Sequence, residues 1–202
     1  MGGDGNDTIV AGAGNDTQDG GLGHDTYIVS VADYFDLLVD AGGTDTIISD
    51  ASWDLRDGFE LLRLTGTDDI NGSGNDASNG ITGNNGNNRL SGRGGHDQIF
   101  ALDGNDTLEG GQGDDWLDGG AGDDSIVGGA GNDMLLARDG SNTVNGGAGN
   151  DTYEIAQFGD YVLADSGGVD TVQVYRNQWT LDAGFENLVG RWAGGVGDYF
   201  GN

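Results

Sequence analysis

Nine consecutive units of nine residues, without a gap, fill positions 74–154 and leave this chain little freedom in how it can fold. They run from GNDASNGIT at 74, through GGQGDDWLD at 110 and GGAGDDSIV at 119, to GGAGNDTYE at 146. Three more units, GGDGNDTIV, AGAGNDTQD and GGLGHDTYI, occupy 2–28. The eighth position of the long run is Ile81, Leu90, Ile99, Leu108, Leu117, Ile126, Leu135, Val144 and Tyr153, apolar throughout. The sixth is Asn79, Asn88, Asp97, Asp106, Asp115, Asp124, Asp133, Asn142 and Asp151. A short fixed period of this kind describes stacked units, each too small to bury a core unless its neighbours cover it.

The residue types give each position a task. The first six residues must turn tightly, which glycine allows by accepting positive φ. The last three alternate outward, inward, outward and form a minimal strand. Two units then make one coil, with the eighth-position side chains of both strands meeting inside. Units i and i+2 stack on the same side about 4.8 Å apart, the spacing of strands in a sheet. The pattern predicts an all-β, parallel β-solenoid with no helix.

A longer duplication overlies the short one: 1–76 returns at 127–202, apart from a compensated shift of one position near 40–52. Asp25-Thr26-Tyr27 reappears as Asp151-Thr152-Tyr153, Trp53 as Trp179, and Phe59-Glu60 as Phe185-Glu186. The organisation read from this is three repeats at 1–28, a β-rich spacer at 29–73, nine repeats at 74–154 and a second copy of the spacer at 155–202. Tyr27-Ile28-Val29, Thr46-Ile47-Ile48 and Leu61-Leu62-Arg63-Leu64 read as short spacer strands.

The charge balance removes several functions. Asp and Glu number 35 against seven basic residues, all Arg, giving a formal charge of −28. A nucleic acid is therefore a poor partner, since binding one needs a basic surface. Without cysteine there is no disulfide, thiolate site or cysteine nucleophile. No apolar run is long enough to span a membrane. Nothing at the start resembles a signal peptide, and the chain reads as a piece of something longer. Every G-x-G continues into x-D rather than into x-x-G and a helix, which excludes a dinucleotide-binding turn. No complete EF-hand loop and no catalytic set such as G-x-S-x-G or H-E-x-x-H is present.

Stacking sets the sixth-position carboxylate of one coil over that of the next. At about 4.8 Å and an effective dielectric near 20, each repulsion is about 3.5 kcal/mol. A hard divalent cation between stacked turns would cancel it, taking carboxylates from two coils and carbonyls aimed inward by glycine turns. Calcium suits such a site, because it accepts six to eight oxygen ligands in flexible geometry, where magnesium keeps its waters and a strict octahedron.

These units resemble the G-G-x-G-x-D-x-U-x nonapeptides of RTX (hemolysin-type) calcium-binding proteins, and the spacers resemble that family's recurring pattern DTYIV…GGTDTIIS…FELLRLTG…NGSGND…NGITGN. The resemblance implies a right-handed parallel β-roll holding several Ca²⁺ ions, in a bacterial protein exported by type I secretion. It implies ion sites built from carbonyls two and four and Asp six of one unit with carbonyls one and three and Asp six of unit i+2. Carried onto this chain, the best such site is Gly111, Gly113 and Asp115 with Gly128, Ala130 and Asp133. The others are Leu102, Gly104 and Asp106 with Gly119, Ala121 and Asp124; Arg93, Gly95 and Asp97 with Gly110, Gln112 and Asp115; Gly129, Gly131 and Asp133 with Gly146, Ala148 and Asp151; and Gly3, Gly5 and Asp7 with Gly20, Leu22 and Asp25. Sites that use Asn79, Asn88 or Asn142 should be weak or empty, and Gln18 at an inward position weakens the second N-terminal repeat.

Other signals carry less. His24 and His96 read as exposed turn residues rather than transition-metal ligands, and the Asn-Asp-Thr sequons as by-products of the repeat. Trp53 and Trp179 read as core. Trp116, Phe100, Met134 and Leu136 are expected on one outer face, covered by a spacer, a neighbouring domain or a ligand, with Thr107 and Ser125 exposed on the other. The expected function is a non-enzymatic, secreted, calcium-binding module that folds when calcium binds, with neighbouring domains of the parent protein as partners. The alternative is a carbohydrate-binding or adhesive module attached to a polysaccharide-modifying enzyme or an adhesin.

Overall fold

The computed structural model describes residues 1–12, 14–33, 36–155, 160–174, 184–192 and 195–199. The described residues are all-β apart from one 3₁₀ turn at Val31–Asp33. A twelve-stranded sheet runs along the molecule from Thr8–Val10 to Gly195–Tyr199, a seven-stranded sheet lies opposite it from Trp53–Asp54 to Asp160–Ala164, and two two-stranded sheets lie in the N-terminal part. Successive strands along each sheet come from alternate units: Ile81 lies beside Ile99, Ile99 beside Leu117 and Leu117 beside Leu135 in the long sheet. Leu90, Leu108, Ile126 and Val144 align in the short one. Each step along a sheet skips one unit, so one coil is two units, as the period predicts. Pairing is parallel throughout, except that Asn187–Trp192 and Gly195–Tyr199 are antiparallel.

Alternation decides the core. All nine eighth-position side chains, from Ile81 to Tyr153, are sealed from solvent. The core is therefore one column of aliphatic side chains from each sheet, two per coil. Larger groups close it towards the spacers, where Tyr27 meets Phe59 edge-on at 5.2 Å and Tyr153 meets Phe185 at 5.1 Å. Trp53 is buried in this core; Trp179 lies outside the described residues.

The spacers carry the same sheet onward with coils of unequal length. Thr26 pairs with Thr46, Thr46 with Leu61 and Leu61 with Gly80, so the sequence steps from coil to coil are 20, 15 and 19. After the long run, Thr152 pairs with Thr171 and Thr171 with Asn187, steps of 19 and 16. The three expected spacer strands are present as Thr26–Val29, Thr46–Ser49 and Leu61–Leu64.

The expected outer-face ridge is not formed. Trp116 stands between Gln98 and Met134 and is 42% exposed, while Leu136 is buried. Thr107 and Ser125 are half-buried rather than bare. The described spacer strands extend the solenoid end to end, and none of them pairs over the flank that carries Trp116. Position nine is also less outward than alternation implies: Asp118 is buried under a two-pronged contact from Arg138, Nε to Oδ1 at 2.6 Å and Nη2 to Oδ2 at 2.5 Å.

Candidate metal centres

The sixth-position side chains form two ladders, one above each sheet. Along the long sheet the backbone N–H of each donates to an oxygen one coil further on: Asn79 to Asp97 Oδ1 at 2.7 Å, Asp97 to Asp115 at 2.8 Å, Asp115 to Asp133 at 2.9 Å and Asp133 to Asp151 at 2.8 Å. Asp7 donates likewise to Asp25. Above the short sheet the order is Asn88, Asp106, Asp124 and Asn142. This pairing uses one oxygen of each carboxylate. The other oxygen, Oδ2 of Asp7, Asp25, Asp97, Asp106, Asp115, Asp124, Asp133 and Asp151, is buried without a hydrogen-bond partner.

An unpartnered buried acceptor costs about 1–3 kcal/mol, and more if charged. The carboxyls respond by holding their protons. Burial pushes Asp97, Asp124 and Asp133 up to about 7 and Asp106 to about 6, against a lowering from the backbone N–H each accepts. Asp115 and Asp151 are raised for the same first reason. At neutral pH Asp97, Asp124 and Asp133 are therefore partly protonated unless a cation meets their free oxygens.

The free oxygens converge with main-chain oxygens. A methyl group placed on Gly110 would collide with Asp115 Oδ2 and lie 2.6 Å from the carbonyl oxygen of Gly128 in the next coil. The same point at Gly92 faces Asp97 Oδ2 and the Gly110 carbonyl, and at Gly128 it faces Asp133 Oδ2 and the Gly146 carbonyl. At position four the constraint is main chain against main chain: Gly113 has φ +115°, and a methyl there would collide with the Gly95 carbonyl oxygen. At Gly92, Gly110 and Gly128 the nearest polar atoms are oxygens, a donor set that suits a hard cation such as calcium.

All five residue sets expected from the sequence lie on adjacent coils. Gly3 N donates to Gly20 O and Gly5 N to Leu22 O; Gly104, Gly113 and Gly131 donate to the carbonyls of Ala121, Ala130 and Ala148. Arg93 pairs with Gly111, and Gly94 with Gln112. Arg93 and Leu102, both at position two, adopt φ +76° and +84°, a left-handed conformation that glycine takes at Gly111 and Gly129. The carbonyls of Gly20, Leu22, Ala121, Ala130 and Ala148 thus each accept one of these hydrogen bonds and keep a second lone pair that could face an ion.

The asparagines do what the acids cannot. Asn79 Nδ2 donates to the carbonyls of Phe59 (3.2 Å) and Glu60 (3.4 Å), and Asn88 Nδ2 to Ile70 O (2.7 Å) and Asn84 Oδ1 (2.8 Å). Asn75 Nδ2 and Asn84 Nδ2 each reach two further carbonyls. Their amides fill the place where other coils present bare carboxylate oxygens. Gln18 is buried and gives its amide to Asp36 Oδ2 at 2.8 Å. His24 and His96 are exposed turn residues whose Nδ1 atoms accept backbone N–H groups from Thr44 and Asp114, each at 2.8 Å.

Two clusters were not anticipated. Carboxylate oxygens of Asp25, Asp40 and Asp45 lie within 4.8 Å of one another, as do those of Asp151, Asp165 and Asp170. Burial raises Asp45 and Asp170 to about 6. The signal was legible in GGTDT and GGVDT, each inside a repeat-length frame with Asp at position one, DAGGTDTII at 40 and DSGGVDTVQ at 165.

The RTX calcium-binding nonapeptide repeat matches the chain in four copies, at 1–27, 72–108, 100–135 and 118–153. No curated protein and no solved structure matched. With more than half of its residues inside those copies, and with acidic turns stacked along the roll, this chain belongs to the RTX calcium-binding nonapeptide repeat family, whose repeats bind Ca²⁺.

Proposed function

We propose that the chain is a structural module whose folding is driven by calcium outside the cell, within a larger protein exported by type I secretion. The observation that carries this reading is the buried carboxylate oxygen without a partner, repeated at every sixth-position Asp of the repeats except exposed Asp16. An ordered coil without an ion places these oxygens against one another and against carbonyls; an ion between coils turns the same atoms into ligands. Binding free energy is then folding free energy. The ligands are the Oδ2 atoms of successive sixth-position Asp residues, with turn carbonyls from both coils, between Asp97, Asp115, Asp133 and Asp151, between Asp106 and Asp124, and between Asp7 and Asp25. Extracellular calcium modules bind at about 10⁻⁴–10⁻³ M, so a calcium-poor cytoplasm would leave the chain unfolded and ready for export. The module has no catalytic role of its own.

Calcium-depleted protein should give a disordered far-ultraviolet circular-dichroism spectrum at pH 8, and millimolar calcium should convert it to a β spectrum with contraction. A β spectrum at pH 8 after complete calcium removal would refute the reading. A carbohydrate-binding role has one observation in its favour, the exposed indole of Trp116 on the flank of the roll. Calcium-dependent glycan binding that is lost in Trp116→Ala would establish it.

A further inference from the structure

The outer face of the long sheet differs in charge from the rest of the chain. Strand register places Leu61, Gly80, Gln98 and Trp116 side by side in one outward row, and Arg63, Thr82, Phe100 and Asp118 in the row beside it. The sequence carries 35 acids, yet Asp118 is the one acid in either row from Thr46 to Leu136, and Arg138 holds both of its oxygens. Arg63 is left over. Arg89, Arg93 and Arg138 face Glu109, Asp54 and Asp118, whereas the exposed guanidinium of Arg63 makes no ion pair or hydrogen bond among the described residues.

Beside Arg63 one outward side chain is missing. Gly80 stands at position seven, where the neighbouring strands carry Leu61 and Gln98, and a hollow of about 320 Å³ opens over it. Leu61 and Phe100 form its apolar walls, with Arg63, Thr82 and Gln98 at the rim. Arg63 and Thr82 also border a second hollow, about 500 Å³, over the adjoining turns. The main chain does not require glycine at this position. Gly80 is not left-handed, and a methyl there would press only on the end of the Leu61 side chain, Cδ2 at 2.7 Å. Further along the same row Trp116 is 42% exposed, two strands or about 10 Å from Gly80.

These groups define a ligand by their chemistry. A guanidinium without a protein partner takes a carboxylate through two parallel N–H donors. The Thr82 hydroxyl and the Gln98 amide suit ligand hydroxyls, and Leu61, Phe100 and the Trp116 indole suit the C–H face of a ring. A molecule with a carboxylate, hydroxyls and an apolar ring face is a uronic acid. The hollows are open and continue along the sheet, which fits a chain of such rings rather than an enclosed small molecule. An added peptide strand does not fit, since each strand here is already paired on both sides. A nucleic acid would need several cations where this face offers one.

We propose that the outer face of the long sheet, from Arg63 and the Gly80 hollow to Trp116, binds an acidic polysaccharide through its uronic acid residues. Arg63 takes a carboxylate, the hollow takes the ring beside it, and Trp116 stacks on a ring further along the chain. The face is suited to a polyanion because its one acid is already paired, in a molecule whose formal charge is −28. The proposal rests on the calcium reading in one respect: ions in the turns reduce the negative charge that would otherwise repel such a ligand. It gives the carbohydrate reading of Trp116 a site and a ligand class.

Calorimetric titration of the calcium-loaded full chain tests this, with hexamers of galacturonic and of mannuronic acid and with the same hexamers after reduction of their carboxyls to alcohols. An acidic hexamer should bind at least about tenfold more tightly than its reduced form, and Arg63→Gln should remove that preference. Gly80→Thr should abolish binding of both forms by filling the hollow, with a residue that position seven already carries at Thr152. Neither variant touches a turn carboxylate, so both should keep the calcium-driven circular-dichroism transition, and Arg89→Gln on the other sheet should bind as the unmodified chain does. The proposal is overturned if a calcium-folded chain binds neither acidic hexamer, if the reduced forms bind equally well, or if Arg63→Gln and Gly80→Thr leave the affinity unchanged. Sedimentation showing a dimer that Gly80→Thr abolishes would give this face to a second copy of the chain and overturn it as well. Folding with calcium but no binding leaves the folding reading standing; binding through Arg63 by a chain whose spectrum ignores calcium does the reverse.

Discussion

Acid should substitute in part for calcium. Asp97, Asp124 and Asp133 are raised from an ordinary value near 4 to about 7, with burial as the main cause. Between pH 4 and 7 the calcium-free fold therefore holds protons that the unfolded chain has released. Its stability is fully present below about pH 4 and is lost as pH rises through 7. Each tenfold change in proton affinity is about 1.4 kcal/mol, so each of these buried carboxyls withholds on the order of 4 kcal/mol at pH 8. Even one such carboxyl withholds a large share of the stability of an ordinary domain, about 5–15 kcal/mol, and the shifts on neighbouring coils are coupled rather than additive. Calcium reverses the sign. It binds the deprotonated carboxylates, so its affinity rises with pH and binding releases protons.

The perturbation is to move dialysed, calcium-depleted protein from pH 8 to pH 5, still above the isoelectric point of about 4.1. Far-ultraviolet circular dichroism and small-angle scattering should register a gain of β signal and a smaller radius at pH 5. In parallel, the calcium midpoint should move to higher concentration as pH falls from 7.5 to 5.5. A chain equally disordered at pH 5 and pH 8, together with a calcium midpoint indifferent to pH, would refute the account of these carboxylates.

Two further outcomes separate the coils. Asp115→Ala should raise the calcium midpoint several-fold more than Asp16→Ala, because Asp115 joins the ladder to both Asp97 and Asp133, whereas exposed Asp16 donates its N–H to Asp36 alone; equal midpoints in a calcium titration would count against the i, i+2 pairing. Asn88→Ala removes three side-chain hydrogen bonds, leaving the Ile70 carbonyl and the Asn84 N–H bare, so it should cost about 2–4 kcal/mol in denaturant unfolding of the calcium-loaded protein. The number of calcium ions bound should not change, and a lost equivalent would place an ion where the amide is drawn.

The regular part of this fold was legible because two periods agree. One unit places one apolar side chain in each short strand, and doubling the unit gives the coil that brings Leu90, Leu108, Ile126 and Val144 into line. The spacers hid the same architecture because their coils differ in length, which destroys the period while preserving the pairing of Tyr27 with Ile47 and Ile47 with Leu62. A sheet needs alignment of strands and tolerates turns of unequal length, so self-similarity is lost before structure is. The Asp40 and Asp165 frames went unread for that reason. The outer faces were misjudged for another: alternation says which way a side chain leaves the strand, not what else lies there, and neither Asp118 beneath Arg138 nor bare Trp116 could be foreseen from parity alone.

The asparagine coils show how one backbone meets the same demand in two ways. Each turn presents carbonyls towards the space above the sixth position, and something electropositive must face them. In the coils from Asp97 to Asp151 the side chain adds a second negative oxygen, so only a cation can satisfy the group as a whole. At Asn79 and Asn88 the side chain itself supplies N–H donors, and the carbonyls of Phe59 and Ile70 are met without an ion. Asn142 falls between these cases. Its oxygen accepts the Asp124 N–H, yet its Nδ2 is buried with no partner, so that turn gains neither the amide contacts of Asn88 nor the charge of Asp124. The two asparagine units at 74–91 separate the N-terminal acidic turns from those of the central roll. Calcium-independent order, if any part of the chain has it, belongs there: its polar groups pair without an ion, and Trp53, Leu64, Ile81 and Leu90 supply the core beneath them.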